Sequence, residues 1–410
     1  MRILFLSDHF YPEPSAPAAH VYERARLWAA QGHEVTVLCS APNFPEGRLF
    51  PGYRNAWRSI EQLEGIRVVR VKTYITANEG TVRRTLDYLS YALSAYLQAF
   101  REPRPDVVIS SSPHLFVPLA GVWHARARGV PHVFEIRDLW PASIAATQAL
   151  KGSSRMLRLL EKLELSLYRR SARILALTPA FKRDLVRRGV PAGKIDVVIN
   201  GANLELFRPG MARDPQIEAE YGLGGRFVVG YLGTLGLAHG LENVIEAATL
   251  LRSSEVTFLF VGVGAAKAQL QALARERGLD NVVFAPRQEK AAMPRFWSVC
   301  DASLVHLRDE PLFATVIPSK IFEAMAVGVP TLYAAPRGEG SQILEADEAG
   351  IVVTPMDPAA LARSCLERAR DARLRARHAA AAARAAPRYS RTRQAADSLA
   401  VLERALGAAP

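Results

Sequence analysis

Two hydrophobic patterns alternate along the first half of the chain. Apolar runs of five or six residues, rich in Val, Ile and Leu, fall at 2–6, 34–39, 66–71, 106–110, 131–136 and 173–177. Runs of that length suit strands, and near-continuous apolar character suits a sheet covered on both faces. Between them, at 18–31, 82–101, 115–128, 153–171 and 179–188, apolar residues recur every three or four positions, the spacing of one helix face. Such alternation predicts a doubly wound, mostly parallel sheet.

The stretch "KIDVVINGANLELFRPG", 194 to 210, reads as a strand followed by a turn-rich connector, after which the pattern restarts. "RFVVGYLGTLG" is a strand running into a glycine loop, with a helix at 241–252. "VTFLFVGVG" is a second strand and loop, with a helix at 265–277. Further strands are expected at 281–285, 302–306, 330–334 and 350–353, and a short helix at 319–327. The Ala/Arg-rich tail from 359 is helical and broken at Pro387. The expected organisation is two Rossmann-like domains, 1–195 and 196–386, and a terminal helical segment, 387–410. A chain of 410 residues is too long for one ordinary core, which agrees with two domains.

Composition narrows the class. The apolar share of 49% and charged share of 22% are those of an ordinary globular protein. Cys39, Cys300 and Cys365 are far apart and odd in number, so neither a disulfide frame nor a metal spacing is expected, and a reducing compartment is. The N-terminus runs straight into a strand with no secretory signal pattern. Net charge is +12, and 151–190 carries eleven Lys or Arg against three Asp or Glu, a net of +8. A basic surface can meet nucleic acid, anionic lipid or a phosphorylated substrate, but no nucleic-acid-binding motif is present, so no nucleic-acid partner is expected. The segment "LSYALSAYLQAF", 89 to 100, is the most apolar helix stretch, flanked by Arg83, Arg84 and Arg101. It is too short to span a bilayer and reads either as a core helix or as a helix partly sunk in a membrane surface.

The candidate chemistry lies at strand ends. "GYLGTLGLAHGLENV" places Gly230, Gly233, Gly236 and Gly240 between a strand and a helix. Glycines there let backbone N–H groups approach an anion, and the helix N-terminus adds positive potential. The plainer reading is a common strand-to-helix turn. In "FATVIPSKIFEAMAVGVP", Pro318 and Ser319 start a helix while Gly328 and Pro330 end it. Lys320 then sits in the first turn, where a cation opposes the helix dipole unless an anion binds. Glu323, one turn on, is placed to accept hydrogen bonds from a ribose diol. Taken alone, either residue reads as solvated surface. "VFEIRDLWPASI" puts Glu135, Arg137 and Asp138 at the carboxyl edge of a strand, where open α/β sheets bind ligands, and Trp140 offers a face for a sugar to stack on. The competing reading is a salt-bridged strand end with a core tryptophan. "SSSPHLF" forms a second such edge with Ser112 and His114.

Taken in order, "GHEVTVL", "EIRDLWPASI", "NGANLELFRP", "GYLGTLGLAHGLENVIEAA", "PSKIFEAMAVGVP" and "SQILEADEAGIVV" resemble the retaining GT-B glycosyltransferases of family 4. The resemblance is to the branch that builds bacterial surface polysaccharides and amino-sugar-containing O-antigens. It implies two Rossmann-like domains facing across a cleft, with the C-terminal helix returning to the first. It implies a nucleotide-sugar donor, UDP-linked, on the second domain, and a lipid-linked or oligosaccharide acceptor on the first. It agrees with Gly233, Thr234, Gly236, His239, Gly240, Ser319, Lys320 and Glu323 at the donor, and the strand-edge residues Asp138, Arg137 and Glu135 are expected with Lys320 at the chemistry. Acceptor-side candidates are Ser15, Ser112, His114 and Trp140. Three departures stand out. The turn "FYPEPSAPAAH" has Ser15 to Ala19 where relatives often keep a Gly-Gly pair. Thr315 stands where the first of two Glu is usual. Thr234 and His239 lie in the loop where relatives carry an Arg and a Lys. No metal or other cofactor is expected, and the expected location is the cytoplasmic face of a membrane, held there by the basic stretch 151–190. A nucleotide-sugar epimerase of the same fold and a non-catalytic sugar-binding module remain as alternatives.

Overall fold

The computed structural model describes residues 1–77, 81–112, 114–139 and 154–407. The chain divides into two units. The first is Met1–Ile199 with Gln394–Pro410, and the second is Asn200–Arg393. The first break lies four residues beyond the expected boundary at 195, and the second lies seven residues beyond 386.

The first unit holds an eight-stranded sheet in the order β3-β4-β2-β1-β5-β6-β7-β8. The strands are β1 Arg2–Leu6, β2 Glu34–Ser40, β3 Arg58–Leu63, β4 Ile66–Val71, β5 Val107–Ser111, β6 His132–Ile136, β7 Arg173–Ala176 and β8 Ile195–Val197. All pairings are parallel except β3 with β4. That hairpin turns through Glu64 and Gly65, at φ 49° and 81°, both in the left-handed region. Sequence reading misses β3: it is half-exposed, and its turn has Glu where Asn or Asp would signal a hairpin. Apolar clusters cover both sheet faces. One gathers Phe5, Trp28, Val37 and Ile109 with Val401 and Leu402 of the C-terminal helix Arg391–Gly407. Trp28 Nε1 donates to Ala395 O at 2.9 Å, which ties that helix to this unit.

The second unit holds a six-stranded parallel sheet in the order β11-β10-β9-β12-β13-β14. Its strands are β9 Phe227–Leu232, β10 Val256–Val261, β11 Val282–Ala285, β12 Ala302–His306, β13 Thr331–Ala334 and β14 Gly350–Val353. Three short helices, Pro215–Tyr221, Met293–Ser298 and Glu339–Ala346, were not expected. They are too brief for periodicity to mark them. Asp214 caps the first by accepting from the amides of Gln216 and Ile217. The tail forms helices Ala372–Ala385 and Arg391–Gly407, with Pro387 in the short turn between them.

Candidate functional site

In the second unit, β9 is followed directly by Gly233, whose φ of 140° suits only glycine. The neighbouring strand end packs directly on it. A Cβ on Gly262 would stand 2.0 Å from Gly233 O, and one on Gly264 would stand 2.2 Å from Leu235 O. Two strand-end loops therefore meet backbone to backbone.

After Gly236 comes a single 3-10 turn, Leu237–His239. Its three carbonyls are all held from the end of β12. Arg308 Nε donates to Leu237 O at 2.8 Å, Arg308 N to Ala238 O at 3.1 Å, and His306 Nδ1 to His239 O at 2.6 Å. The first N–H groups of such a turn have no partner within it and are available to an anion. His306 is buried, and its Nε2 accepts from Asn243 Nδ2 at 2.9 Å, which fixes its neutral tautomer. Burial pushes its pKa down to about 4. Sequence reading passed over His306, although it closes a strand at the carboxyl edge. His239 Nδ1 lies 3.2 Å from the Gly236 amide, and burial, with Lys320 nearby, pushes its pKa down to about 4. His239 is thus a neutral group at neutral pH. It does not replace the cation that relatives carry in this loop.

The cation is Lys320. Its Nζ sits 3.3 Å from the ring centroid of Tyr231, and a Cβ on Gly233 would be 3.6 Å from it. Burial brings its pKa down to about 7, opposed by Glu323. Lys320 begins the helix Lys320–Val327, and Glu323 lies in the same first turn. Ser319 marks the start of this helix, as the sequence suggests, but does not cap it. Its own backbone is helical, at φ −61° and ψ −22°, and its side chain makes no cap bond. No side chain therefore caps the helix beside the lysine, and the Ile321 and Phe322 amides donate to Pro318 O and Ser319 O, each at 3.1 Å. Thr315 ends the 3-10 turn Pro311–Thr315, and its Oγ1 donates to Leu312 O at 2.7 Å. Thr234 O accepts from the Tyr231 hydroxyl at 2.8 Å. Gly240 adopts φ 59°, and a Cβ there would meet Met356 Sδ at 2.8 Å.

The first unit sorts its candidates differently. Glu135 is fully buried and makes a double hydrogen bond to Arg24, 2.7 Å at each oxygen. Burial alone would raise its pKa, but Arg24 and Arg137 hold it at about 2. Both oxygens are thus engaged below the surface, which makes Glu135 a buried counter-ion to Arg24. Arg137 reaches His20 Nδ1 at 2.6 Å through Nη2, and its amide donates to Ser112 Oγ at 2.9 Å. Its Nη1 is buried without a hydrogen-bond partner, 3.9 Å from Glu135. Asp138 is exposed at the strand end, yet partial desolvation raises its pKa despite Arg137. Ser15 caps helix Ala16–Ala30 by accepting from the Ala18 amide at 3.2 Å. Trp140 lies outside the described residues.

His114 belongs to a cluster that sequence reading missed. Its Nε2 is 3.4 Å from Asp8 Oδ2, and its ring stacks on Tyr88 at 3.8 Å. Burial lowers the pKa of His114. His9 Nδ1 is 2.7 Å from Glu13 Oε2; burial opposes the charge, but Glu13 and Asp8 raise the His9 pKa to about 9. Asp87 is pushed up to about 7, by burial first and by Asp8 next. The signal was the polar run "SDH" directly after β1. Among the described residues, no group of three or more His, Cys, Asp or Glu is arranged to hold a metal ion.

Comparison with known proteins gives this geometry its setting. Residues 15–201 match the family model described as glycosyl transferase 4-like domain, and residues 214–385 match glycosyl transferases group 1. A protein of Escherichia coli (strain K12), provisionally named as a colanic acid biosynthesis glycosyl transferase, is 30% identical over 336 residues, 80% of this chain and 82% of the relative. The sucrose-phosphate synthase of Thermosynechococcus elongatus shares the fold at a TM-score of 0.78 with 18% identity, covering 100% of both chains. An Anabaena protein crystallised with UDP does so at 0.71 with 17% identity, covering 98% of this chain and 100% of that one. Two halves matched in order, on a fold shared along the whole length, make this chain a member of the family 4 glycosyltransferases of GT-B fold.

Proposed function

We propose that the enzyme moves a sugar, with retention of anomeric configuration, from a UDP-linked donor to a hydroxyl of a lipid-linked or oligosaccharide acceptor. The pathway proposed is bacterial surface polysaccharide synthesis, and an N-acetylated amino sugar is the proposed donor class. The reading rests above all on Lys320, a desolvated lysine beside a glycine turn and an uncapped helix N-terminus. The naming of the Escherichia coli relative supports the pathway, and the UDP bound to the Anabaena protein supports the nucleotide.

As the glycosidic bond to phosphate breaks, positive charge spreads over the sugar ring and negative charge grows on the departing diphosphate. Fixed amides and a lysine at that oxygen lower the barrier because they need no reorganisation. Glu323 accepts from the ribose diol. On the acceptor side Asp138 orients the attacking hydroxyl, and the departing phosphate takes its proton on the same face. No metal enters this scheme. Enzyme and acceptor meet at the cytoplasmic face of the membrane.

Slow hydrolysis of a panel of nucleotide sugars, followed by mass spectrometry, tests the reading. One UDP-sugar should be turned over. Lys320→Ala should slow it about a hundredfold, or ~3 kcal/mol, without unfolding the protein. Epimerised donor in place of free UDP would overturn transfer in favour of epimerisation. Unchanged turnover in Lys320→Ala would remove the lysine from the phosphate.

A further inference from the structure

Helix Thr81–Ala99 buries one face and leaves the opposite face bare. Tyr91, Ala92, Ala95 and Ala99 join the core cluster that contains Leu4, Leu38 and Val117. From 82 to 100, the exposed side chains are Val82, Arg83, Leu86, Leu89, Leu93, Leu97 and Phe100. Six of these seven are apolar, and Leu93 is 62% exposed. At 100° per residue the six fall within an arc of about 80° and extend about 27 Å along the axis. A surface helix ordinarily puts charged residues on that face. Single exposed leucines need no explanation, but a continuous stripe marks a contact. The core reading of 89–100 thus holds for one face of the helix, and the other face is apolar and exposed.

The flanks are aromatic and cationic. Tyr96 meets Phe100 at 5.2 Å and the half-exposed Trp123 at 6.3 Å. On the other side Ser94 Oγ donates to Lys72 O, and Tyr74 N donates to Ser90 Oγ, which sets Lys72 and the exposed Tyr74 beside the stripe. Lys72 Nζ lies 4.7 Å from the ring centroid of Trp57, itself 69% exposed. Arg83, Arg101, Arg104 and Arg126 stand exposed along this surface. Glu102, just past the helix, is buried between Arg58 and Arg67 and adds no free negative charge.

We propose that this face lies on an anionic lipid surface, with the helix in the membrane plane and its leucines among the acyl chains. Leucines suit the acyl region, Trp and Tyr the headgroup boundary, and Arg and Lys the anionic headgroups. A second copy of the chain would instead bring two basic rims together. Among the described residues no helix is long and apolar enough to cross a membrane, so the helix lies on the surface. The basic stretch 151–190 is a poorer contact than its composition suggests. Arg188 pairs with Glu164 and Glu161, Arg187 with Asp184, and Arg173 with Asp196. The inference deepens the proposed function, since it rests on a lipid-linked acceptor for its purpose, but its test needs neither donor nor acceptor.

The full chain is sedimented with vesicles of phosphatidylcholine mixed with phosphatidylglycerol, and with phosphatidylcholine alone. Wild type should bind the anionic vesicles, and salt should weaken that binding without abolishing it. Leu89→Gln with Leu93→Gln should lower partitioning at least about tenfold, while circular dichroism and vesicle-free donor hydrolysis stay unchanged. Equal binding by wild type and the double variant would overturn the proposal. So would binding lost entirely on replacing Arg169 and Arg170, or a wild-type dimer that the leucine changes dissociate with no vesicle binding. Vesicle binding that depends on the leucines in a protein that hydrolyses no nucleotide sugar would uphold the membrane face and reject the proposed function.

Discussion

Lys320 Nζ lies 3.3 Å from the ring centroid of Tyr231, and the desolvation that accompanies this contact brings its pKa to about 7. A diphosphate bound beside it raises that pKa again by supplying the opposite charge. At about pH 8 the free lysine is mostly neutral and the bound one charged, so UDP binding should take up a proton. At about pH 6 the lysine is charged beforehand and the uptake should vanish. Calorimetry in buffers of different ionisation heat measures the difference. Lys320→Met should abolish the uptake at the higher pH, and uptake retained in that variant would assign the proton to another group.

His306 holds the turn Leu237–His239 through His239 O, and in the proposed scheme that places it at one remove from the donor. His306→Phe leaves that carbonyl and Asn243 without their partner, a cost of ~1–3 kcal/mol that falls on the turn. UDP affinity should drop about tenfold while the fold survives. With its pKa near 4, His306 stays neutral from pH 6 upward, so the loss should not vary with pH across the neutral range. His306→Gln, which can still donate to the carbonyl, should recover part of the affinity. A loss that grows with falling pH would mean that His306 acts as a charged group.

How much of this was legible follows from what each feature needs. Strands and long helices announce themselves through periodicity, and the donor loop through glycines that only close backbone contact explains. Gly262 and Gly264 sit in the quoted "VGVG", but their partners, Gly233 and Leu235, are known only once β9 and β10 pair. Glu135 read as a site residue because its counter-ion, Arg24, lies 111 residues away in sequence. Ser319 marks the helix start by residue type, but that its side chain leaves the turn uncapped depends on its backbone angles. The cluster at Asp8 and His114 joins groups on separate segments, which no local pattern encodes.

Gly262 carries a separate test. Gly262→Ala places a Cβ 2.0 Å from Gly233 O at φ 147°, so one of the two loops must move. The expected cost is above ~2 kcal/mol, with donor binding lost. Gly222→Ala is the control, because it has φ 65° but nothing within 4 Å of its Cβ. Only the conformational cost of about 1 kcal/mol applies there. Equal unfolding midpoints for the two variants would show that the loop contact yields freely.

Glu135 and Asp138 stand three residues apart and should fail in different ways. Glu135→Gln strips buried Arg24 of its counter-ion, which should cost ~3–5 kcal/mol. The Glu135 pKa is depressed to about 2 from 4.5, so its contribution is present above the unfolded value and is lost as pH falls from 4.5 towards 2. The variant should therefore be less stable at neutral pH and show a shallower acid loss than wild type. Asp138 is exposed, and Asp138→Asn should leave the unfolding midpoint nearly unchanged. Its effect should appear in the reaction. An Asp138 that orients the acceptor hydroxyl acts on transfer alone, so transfer should fall while slow hydrolysis of the donor by water persists. A carboxylate that steadies positive charge on the donor ring would act on both, and the two rates would fall together. We expect the first outcome, because the resemblance assigns the acceptor to this unit and the donor cation to the other. Transfer and hydrolysis both at wild-type rates would leave Asp138 as no more than the neighbour of Arg137 at a strand end.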